Sequence, residues 1–468
     1  MNGKILIANR GEIAIRIMQA CKDLGLDFVV VYTAADEDSE HVRLNRDSQG
    51  NSKRAWQITS YTDPNDILAV ADHTECTAIH PGYGFFSEDF RFARRVTVRD
   101  RPLTFIGPNW QVIKNLGDKI NTKNVAKSLA IPVIPGTDSP IYNEMEAEEI
   151  ADQLLDDQKS QNIKNPSILV KAAAGGGGMG IEEVREIEHF RRVYRQVQNY
   201  AKRQFGDAGV LIEQCLRDYN HLEVQLLCSR HGERLHFGTR NCTIQSTGRQ
   251  KRVEAAPGFD DSCFEYNFDS HEVLERIVQY SLKLASHVRY DNVGTWEWIV
   301  AQDGQPYLLE VNTRIQVEND ISARISYIKG KHPNLIREQI RLALGERIGF
   351  TQHDIKFKGA SIELRVVAEN TMRGFAPWIG TIEKFKFPEY EWAAVYTHVP
   401  FDKSYIIPSD FDPNLALVVL WGDSIDEAKK RAVKFLSETV IEGTDSKGDP
   451  IITNMGYLQN NLDRLLTF

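Results

Sequence analysis

The sequence predicts an α/β protein of several domains, opened by a doubly wound domain on a parallel sheet. Three observations carry this. The chain begins strand–helix–strand within its first 33 residues, a glycine run follows a strand that ends at Lys171, and an apolar hairpin turns at Asp303-Gly304. At 468 residues, and with ~150 residues per domain, roughly three domains are expected.

Composition sets the outer limits. Hydrophobic residues make up 42% and charged residues 26%, the balance of a globular chain with a large core, which excludes disordered and fibrous classes. The net charge of −9 argues against a general nucleic-acid binder while leaving room for a local basic pocket. No run reaches the ~18 apolar residues of a membrane span. Met1 to Ile7 leads into a strand pattern and does not read as a signal peptide. The six cysteines show neither a C-x-x-C pair nor zinc spacing, so a reduced, cytoplasmic compartment is expected.

The elements follow in order. Residues 4–9 (KILIAN) read as a buried strand, 11–24 as an amphipathic helix and 27–33 as the next strand, a βαβ unit. A short strand near 77–79 runs into the turn-rich His80-Pro81-Gly82-Tyr83-Gly84-Phe85, and another strand is expected at 103–106. These form a first domain, residues 1–115. Ile131 to Gly136 breaks the chain before an acidic helix at 143–158. A strand at 167–171, the run Ala174 to Gly180 and a charged helix at 186–204 then complete a small second region, 116–205. The rest divides into 206–350, with most polar motifs, and 351–468.

The most informative segment is Gly294-Thr295-Trp296-Glu297 to Tyr307-Leu308-Leu309-Glu310-Val311-Asn312. With Asp303-Gly304 as a two-residue turn, Glu297 is expected directly opposite Glu310. Facing carboxylates repel across a ladder, and a hard divalent cation such as Mg²⁺ or Mn²⁺ removes that objection. The plain alternative is a solvated pair. Beyond it, Glu310, Asn312, Arg314, Gln316 and Glu318 alternate with Val311, Thr313, Ile315 and Val317. Fully extended, 310–318 would span ~26 Å, so the segment is expected to bend, with a metal at one end and a second substrate at Arg314 and Glu318. A structural ion-pair ladder is the competing reading.

Gly175 to Gly178 after Lys171 would let backbone N–H groups approach a phosphate, although a simple linker has the same composition and no Gly-Lys-Ser/Thr follows. Weaker signals are His221, at the start of an alternating strand, Cys242, which reads as an ordinary pocket or core thiol, and the basic run Arg249 to Arg252, either a solvated loop or an anion clamp.

Ile7-Ala8-Asn9-Arg10-Gly11-Glu12-Ile13-Ala14, His80 to Phe85, Gly117-Asp118-Lys119 and Glu310 to Glu318 stand in collinear order over nearly the whole chain. Together they resemble biotin carboxylase. The resemblance implies an ATP-grasp fold with an N-terminal Rossmann-like domain, a small mobile lid and a C-terminal α+β domain. It implies that Lys119 and Lys171 contact ATP phosphates, with Gly177 and Gly178 in the lid. Glu213, Gln214, Cys215 and Leu216 would form the adenine hinge, with His221 and Gln245 as further nucleotide contacts. Glu297, Glu310 and Asn312 would hold magnesium. Lys251, Arg314, Gln316 and Val317 would hold bicarbonate, Glu318 would act as base, and Arg365 would steady the biotin enolate. ATP and carrier-bound biotin would be the substrates.

The chain departs from the family pattern in places. Ala174 opens the glycine run and Met179 follows it where arginine is usual. Gln245 to Lys251 carries an extra residue and no histidine, Asn319 replaces a histidine, and Phe411 to Val418 lacks the usual lysine. Two other functions therefore stand beside an active carboxylase: a non-catalytic nucleotide-binding paralogue serving as scaffold, and an ATP-grasp ligase with another acceptor. None of the six methionines precedes a lysine, so the biotinyl-lysine is expected on a separate carrier, with a separate carboxyltransferase. Homodimers are common in the family. Acetyl-CoA, propionyl-CoA and pyruvate stay open as final acceptors.

Overall fold

The computed structural model describes residues 3–47, 49, 52–161, 163–173, 180–246 and 250–467. The expected lid residues Ala174, Gly177, Gly178 and Met179, and Thr247 to Arg249 of the basic run, lie outside the described residues. The chain forms two units: residues 1–117, 220–297 and 310–467, and residues 118–219 with 298–309.

The larger unit starts with β1 (Lys4–Ile7), α1 (Gly11–Asp23), β2 (Asp27–Tyr32), β3 (Ala55–Gln57), β4 (Ala78–His80) and β5 (Thr104–Phe105). The strands are parallel in the order β3-β2-β1-β4-β5. Successive side chains of a strand point to opposite faces, and here both faces are buried. Ile5, Ile7, Phe28 and Val30 pack with Ile13 and Ile17 of α1. Leu6, Val29, Val31 and Ile79 pack with Ile67 and Phe92 from helices Pro64–His73 and Phe90–Thr97. That two-sided burial is why these strands are almost uninterruptedly apolar. The switch from β1 to α1 falls on Gly11 at φ 72°, a conformation open to glycine and strained for other residues. The preceding Arg10 pairs with Asp36 at 2.7 and 2.6 Å and lies 3.8 Å over the ring of Phe411.

In the smaller unit β6 (Ile168–Ala172), β7 (Ile181–Val184) and β8 (Val210–Gln214) form an antiparallel sheet, β7-β6-β8. Helices Glu144–Ser160 and Phe190–Phe205 bury Ala147, Leu155, Val193 and Val197 against Ile168, Val170 and Ile212. Asn143 caps the first helix through the N–H groups of Met145 and Glu146, and Gly206 at φ 75° ends the second.

The remaining strands include β9 (Asn220–Cys228), β10 (Arg234–Gln245), β11 (Lys251–Ala256), β12 (Asn292–Val300) and β13 (Pro306–Asn312). An eight-stranded sheet runs β13-β12-β9-β10-β11 and continues through Ala360–Val367, Asn414–Gly422 and Ala393–Tyr396. Helix Ile425–Glu438 covers the C-terminal strands, setting Ala428, Ala432 and Phe435 against Ile362, Leu364, Val418 and Leu420.

The hairpin turn differs from the sequence expectation. Ala301 N donates to Gln305 O at 3.0 Å and Gly304 N to Ala301 O at 2.9 Å, with Gly304 at φ 79°. Residues 302–304 thus form a three-residue loop with a glycine bulge rather than a two-residue turn. Pairing next to the turn shifts by one residue, so a direct Glu297–Glu310 opposition no longer follows from it. The expected bend is present: the strand ends at Asn312, and helix Asn319–Arg324 begins directly after Glu318.

Candidate active site

Strand β9 places His221, Glu223 and Gln225 on one face, because alternate residues share a side. The strand is buried along its whole length, so each of these polar groups needs a partner. Arg240, fully buried on β10, donates to Glu223 Oε2 at 2.9 and 2.7 Å and to Gln225 Oε1 at 2.8 Å. Lys251, the first residue of β11, contacts Glu223, and its Nζ lies 3.2 Å from Glu297 Oε1 and 2.9 Å from Glu318 Oε1. Arg365 Nη2 donates to Glu318 Oε2 at 2.9 Å and also contacts Glu254.

Glu297 is the hub. Besides Lys251 it takes hydrogen bonds from Asn312 Nδ2 at 2.6 Å and Gln316 Nε2 at 3.2 Å. His221 Nε2 lies 2.8 Å from its Oε2, and Gln245 Nε2 lies 2.9 Å from His221 Nδ1. With Gln245 donating to Nδ1, the ring proton sits on Nε2 and points at Glu297. Arg314 binds Glu88 at 2.9 Å and Gln316 Oε1 at 2.8 Å, and Glu88 also receives the N–H of Thr313 at 3.1 Å. The bend is tied from below: Arg16 donates to Asn319 Oδ1 at 3.0 Å, and Asn319 Nδ2 to Gln316 O at 2.7 Å.

In the smaller unit Lys171 and Lys123 both pair with Glu213, at 2.5 and 3.5 Å. Gln214 N donates to Pro135 O at 2.8 Å and Cys215 N to Ser167 O at 2.9 Å, which fixes the backbone of 213–216 as an ordered edge. Lys119 is the first residue of helix Lys119–Ser128, capped by Asp118. Of the residues expected at the nucleotide, Lys119, Lys171 and Glu213 to Leu216 thus belong to this unit, and His221 and Gln245 to the larger one.

Three family matches cover the chain in order: biotin carboxylase N-terminal domain at 1–113, carbamoyl-phosphate synthase L chain ATP-binding domain at 118–350, and biotin carboxylase C-terminal domain at 363–461. A pyruvate carboxylase subunit of Methanothermobacter thermautotrophicus is 38% identical over 443 residues, 95% of this chain and 84% of the relative. Biotin carboxylase of a Nostoc species is 34% identical over 462 residues, 98% of this chain and 97% of the relative.

The chain belongs to the biotin carboxylase family.

Its fold is the ATP-grasp fold of that family. The biotin carboxylase domain dimer of the Hydrogenobacter thermophilus 2-oxoglutarate carboxylase, solved with MgADP, ADP and bicarbonate, superposes with a TM-score of 0.84 at 34% identity, covering 98% of this chain and 93% of that one. Campylobacter jejuni biotin carboxylase, solved as a β-γ-ATP complex, gives 0.84 at 29%, covering 98% and 95%. The activity is that of an ATP-dependent ligase that carboxylates biotin, within a multi-subunit carboxylase.

The buried carboxylates of this biotin carboxylase divide by their surroundings. Burial pushes Glu318 and Glu297 up, but their partners outweigh it: Lys251, Arg365 and Arg240 hold Glu318 well below the usual carboxylate range, and Lys251 with the hydrogen bond from His221 does the same for Glu297. Glu223 and Glu363 go the other way, raised by burial and then by Glu318 and Glu254 respectively. Lys251 is held well above its ordinary value; burial lowers it, and Glu223, Glu297 and Glu318 more than compensate.

The donor chemistry fits magnesium. Glu297, Glu310 and Asn312 carry hard oxygen atoms of the kind that magnesium takes, and the Oε1 of Glu297 accepts from one cation, Lys251, and from the amides of Asn312 and Gln316. His221, Glu223 and Glu297 also bring ligand atoms within 4.8 Å of one another.

Sequence reasoning missed Glu88, Glu223, Arg240, Glu254 and Glu363, the groups that brace the expected residues. Asn319, which departs from the family, is firmly bonded into the bend and keeps its position without a histidine. A polar residue at every second position of an otherwise apolar strand, as in His221-Leu222-Glu223-Val224-Gln225, is the signal that could have found Glu223.

Proposed function

We propose that Lys251, Arg314, Glu318 and Arg365 carry the chemistry, with Gln316 and the backbone of Val317 completing a bicarbonate pocket. The observation that carries this reading is Glu318: a carboxylate with no exposed surface, bracketed by Lys251 at 2.9 Å and Arg365 at 2.9 Å. Such a group stays ionised while the pocket is empty. Bicarbonate drawn to Lys251 and Arg314 takes charge away from Glu318, whose proton affinity then rises, and Glu318 accepts the bicarbonate proton. The bicarbonate oxygen attacks the γ-phosphate of ATP, giving carboxyphosphate and ADP. Carboxyphosphate breaks into CO₂ and phosphate, phosphate removes the N1 proton of biotin, and N1 attacks CO₂. Arg365, released from Glu318, meets the charge that grows on the ureido oxygen.

Lys119, Lys171, Gly177 and Gly178 bind the triphosphate, Glu213 to Leu216 the adenine edge, and His221 and Gln245 a further part of the nucleotide. Glu297, Glu310 and Asn312 would hold a divalent cation, which would neutralise phosphate charge. The chain works on biotin carried by a separate protein, beside a separate carboxyltransferase, and pairs as a homodimer. Two relatives support this, matched over 84% and 89% of their length: one is a subunit of pyruvate carboxylase, the other the small subunit of 2-oxoglutarate carboxylase. The Hydrogenobacter domain was solved as a dimer.

The test is ADP release with bicarbonate and biotin each present or omitted, free biotin being compared with a biotinylated carrier domain added in trans. Release that needs both, and that rises strongly with the carrier, is expected. ATP cleavage indifferent to bicarbonate would overturn the reading, and streptavidin detection of biotin on this chain would overturn the separate carrier.

A further inference from the structure

Glu254 on β11 and Glu363 on the strand Ala360–Val367 are directly opposed in an antiparallel ladder, which also sets Val253 against Leu364. Both are fully buried, and apart from the contact of Arg365 with Glu254 none of their four carboxylate oxygens has a hydrogen-bond partner among the described residues. Their cationic neighbour is Arg365, which contacts Glu254, lies 3.7 Å from Glu363 Oε1, and is also claimed by Glu318. One oxygen from each of Glu254, Glu318 and Glu363 falls within 4.8 Å of the others.

Five buried carboxylates, Glu223, Glu254, Glu297, Glu318 and Glu363, surround three cations, Arg240, Lys251 and Arg365, while the next buried cation, Arg16, is offset by Glu12 at 3.6 Å. Glu223, Glu297 and Glu318 each accept hydrogen bonds from those cations. The excess negative charge therefore falls on the opposed pair. Like charges facing each other across a ladder destabilise it, and a buried carboxylate without compensation takes up a proton instead.

We propose that Glu254 and Glu363 share one proton and act together as the positioning pair of Arg365. With one proton, a single negative charge anchors the guanidinium, which keeps charge to offer a substrate oxyanion. With none, the guanidinium is cancelled and pinned to the strands. The idea rests on the reading above, in which Arg365 meets biotin. Burial and then Glu318 push Glu254 up, against Arg365, to about 7, and Glu363 is raised further above its ordinary value. The other charged or titratable groups facing the pair or its arginine are Glu318 and Lys251, Arg16 and Glu12 of α1, Tyr83, and Cys242 of β10, whose thiol is held well above its ordinary value and stays neutral. Glu318 and Lys251 hold each other ionised, so neither supplies the titration.

Two measurements on the full chain test this. Infrared spectra should show the carbonyl band of a buried protonated carboxylic acid near neutral pH, fading as pH rises through about 7 and above, and lost in Glu254→Gln and in Glu363→Gln. In parallel, KM for biotin in the wild type should climb at alkaline pH by up to ~tenfold per pH unit, while KM for bicarbonate does not follow it. Either glutamine variant should flatten that alkaline rise, because one acid alone has no shared proton to lose, and Glu254→Asp should restore it. Absence of the acid band in the wild type, or a biotin KM that is flat with pH, would overturn the proposal even if both variants fail to fold. A wild type with no biotin-dependent turnover at any pH would instead sink the reading on which it rests.

Discussion

In the larger unit, Glu223, Glu254, Glu318 and Glu363 have no exposed surface and share Lys251, Arg240 and Arg365. In the smaller unit, Arg191–Glu148 and Arg195–Glu144 join the two helices from outside, with arginines 55% and 65% exposed. The bond lengths are alike, 2.7 and 2.9 Å in one place and 2.6 and 2.5 Å in the other. What differs is the alternative open to each group. An exposed arginine that loses its partner turns to water, so the pair contributes little. A buried lysine that is removed leaves carboxylates facing one another in a low dielectric. Distance alone does not rank ion pairs; burial does.

The comparison can be broken most directly at Lys251. Lys251→Met should abolish carboxylation and lower unfolding free energy by about 3–5 kcal/mol, measured by urea unfolding beside the turnover assay. A variant as stable as the wild type would mean that Glu223, Glu297 and Glu318 do not depend on that cation. Next in size, Glu318→Gln should reduce both bicarbonate-dependent ATP cleavage and carboxylation by ~10²–10⁴-fold. Arg365→Ala should cut carboxylation by ~10²–10³-fold and ATP cleavage much less. Equal losses in the two assays would remove Arg365 from biotin.

Acid sharpens the contrast within the buried set. Glu297 and Glu318 have folded values below their ordinary ones, so their contribution is present above the ordinary carboxylate value and is lost as pH falls through the lowered values. Glu254 works in reverse: its contribution is complete below 4.5 and is lost as pH rises to about 7. Urea midpoints taken across this range should therefore lose a downward slope between these two values in Glu254→Gln. The smallest effect belongs to the surface: Arg195→Ala should move Tm by no more than about 2 °C, and a larger drop would show that exposure is the wrong criterion.

The sequence made the first βαβ unit legible because β1 and β2 are buried on both faces and α1, buried nearly all round up to Cys21, is apolar enough to pack against them. It also exposed the 310–318 segment, where polar residues alternate against a β-branched face. Its turn was misread because Asp-Gly serves two-residue and bulged three-residue hairpins alike, and only the Ala301–Gln305 hydrogen bond separates them. The bracing groups were illegible for another reason. Glu88, Glu223, Arg240, Glu254 and Glu363 meet through strands and loops that lie far apart along the chain, and no local spacing encodes such a meeting.

Arg10 bonded to Asp36 and laid over Phe411 has a consequence for how the chain is made. The larger unit is interrupted at 117 and resumed at 220, so a surface formed by its first forty residues is completed by a ring some 370 residues later. Other bonds repeat the pattern: Glu40 N donates to His398 O at 2.8 Å, and Arg43 binds Asp402 at 2.8 and 2.9 Å. On the ribosome, residues 118–219 emerge as one continuous stretch that holds the β6–β8 sheet and helices Lys119–Ser128, Glu144–Ser160 and Phe190–Phe205, with residues 298–309 joining the unit later. The N-terminal sheet, although synthesised first, must wait with Arg10 uncovered until almost the whole chain has appeared. A nascent chain arrested before Phe411 should accordingly be cleaved by protease near its N-terminus while the middle segment resists.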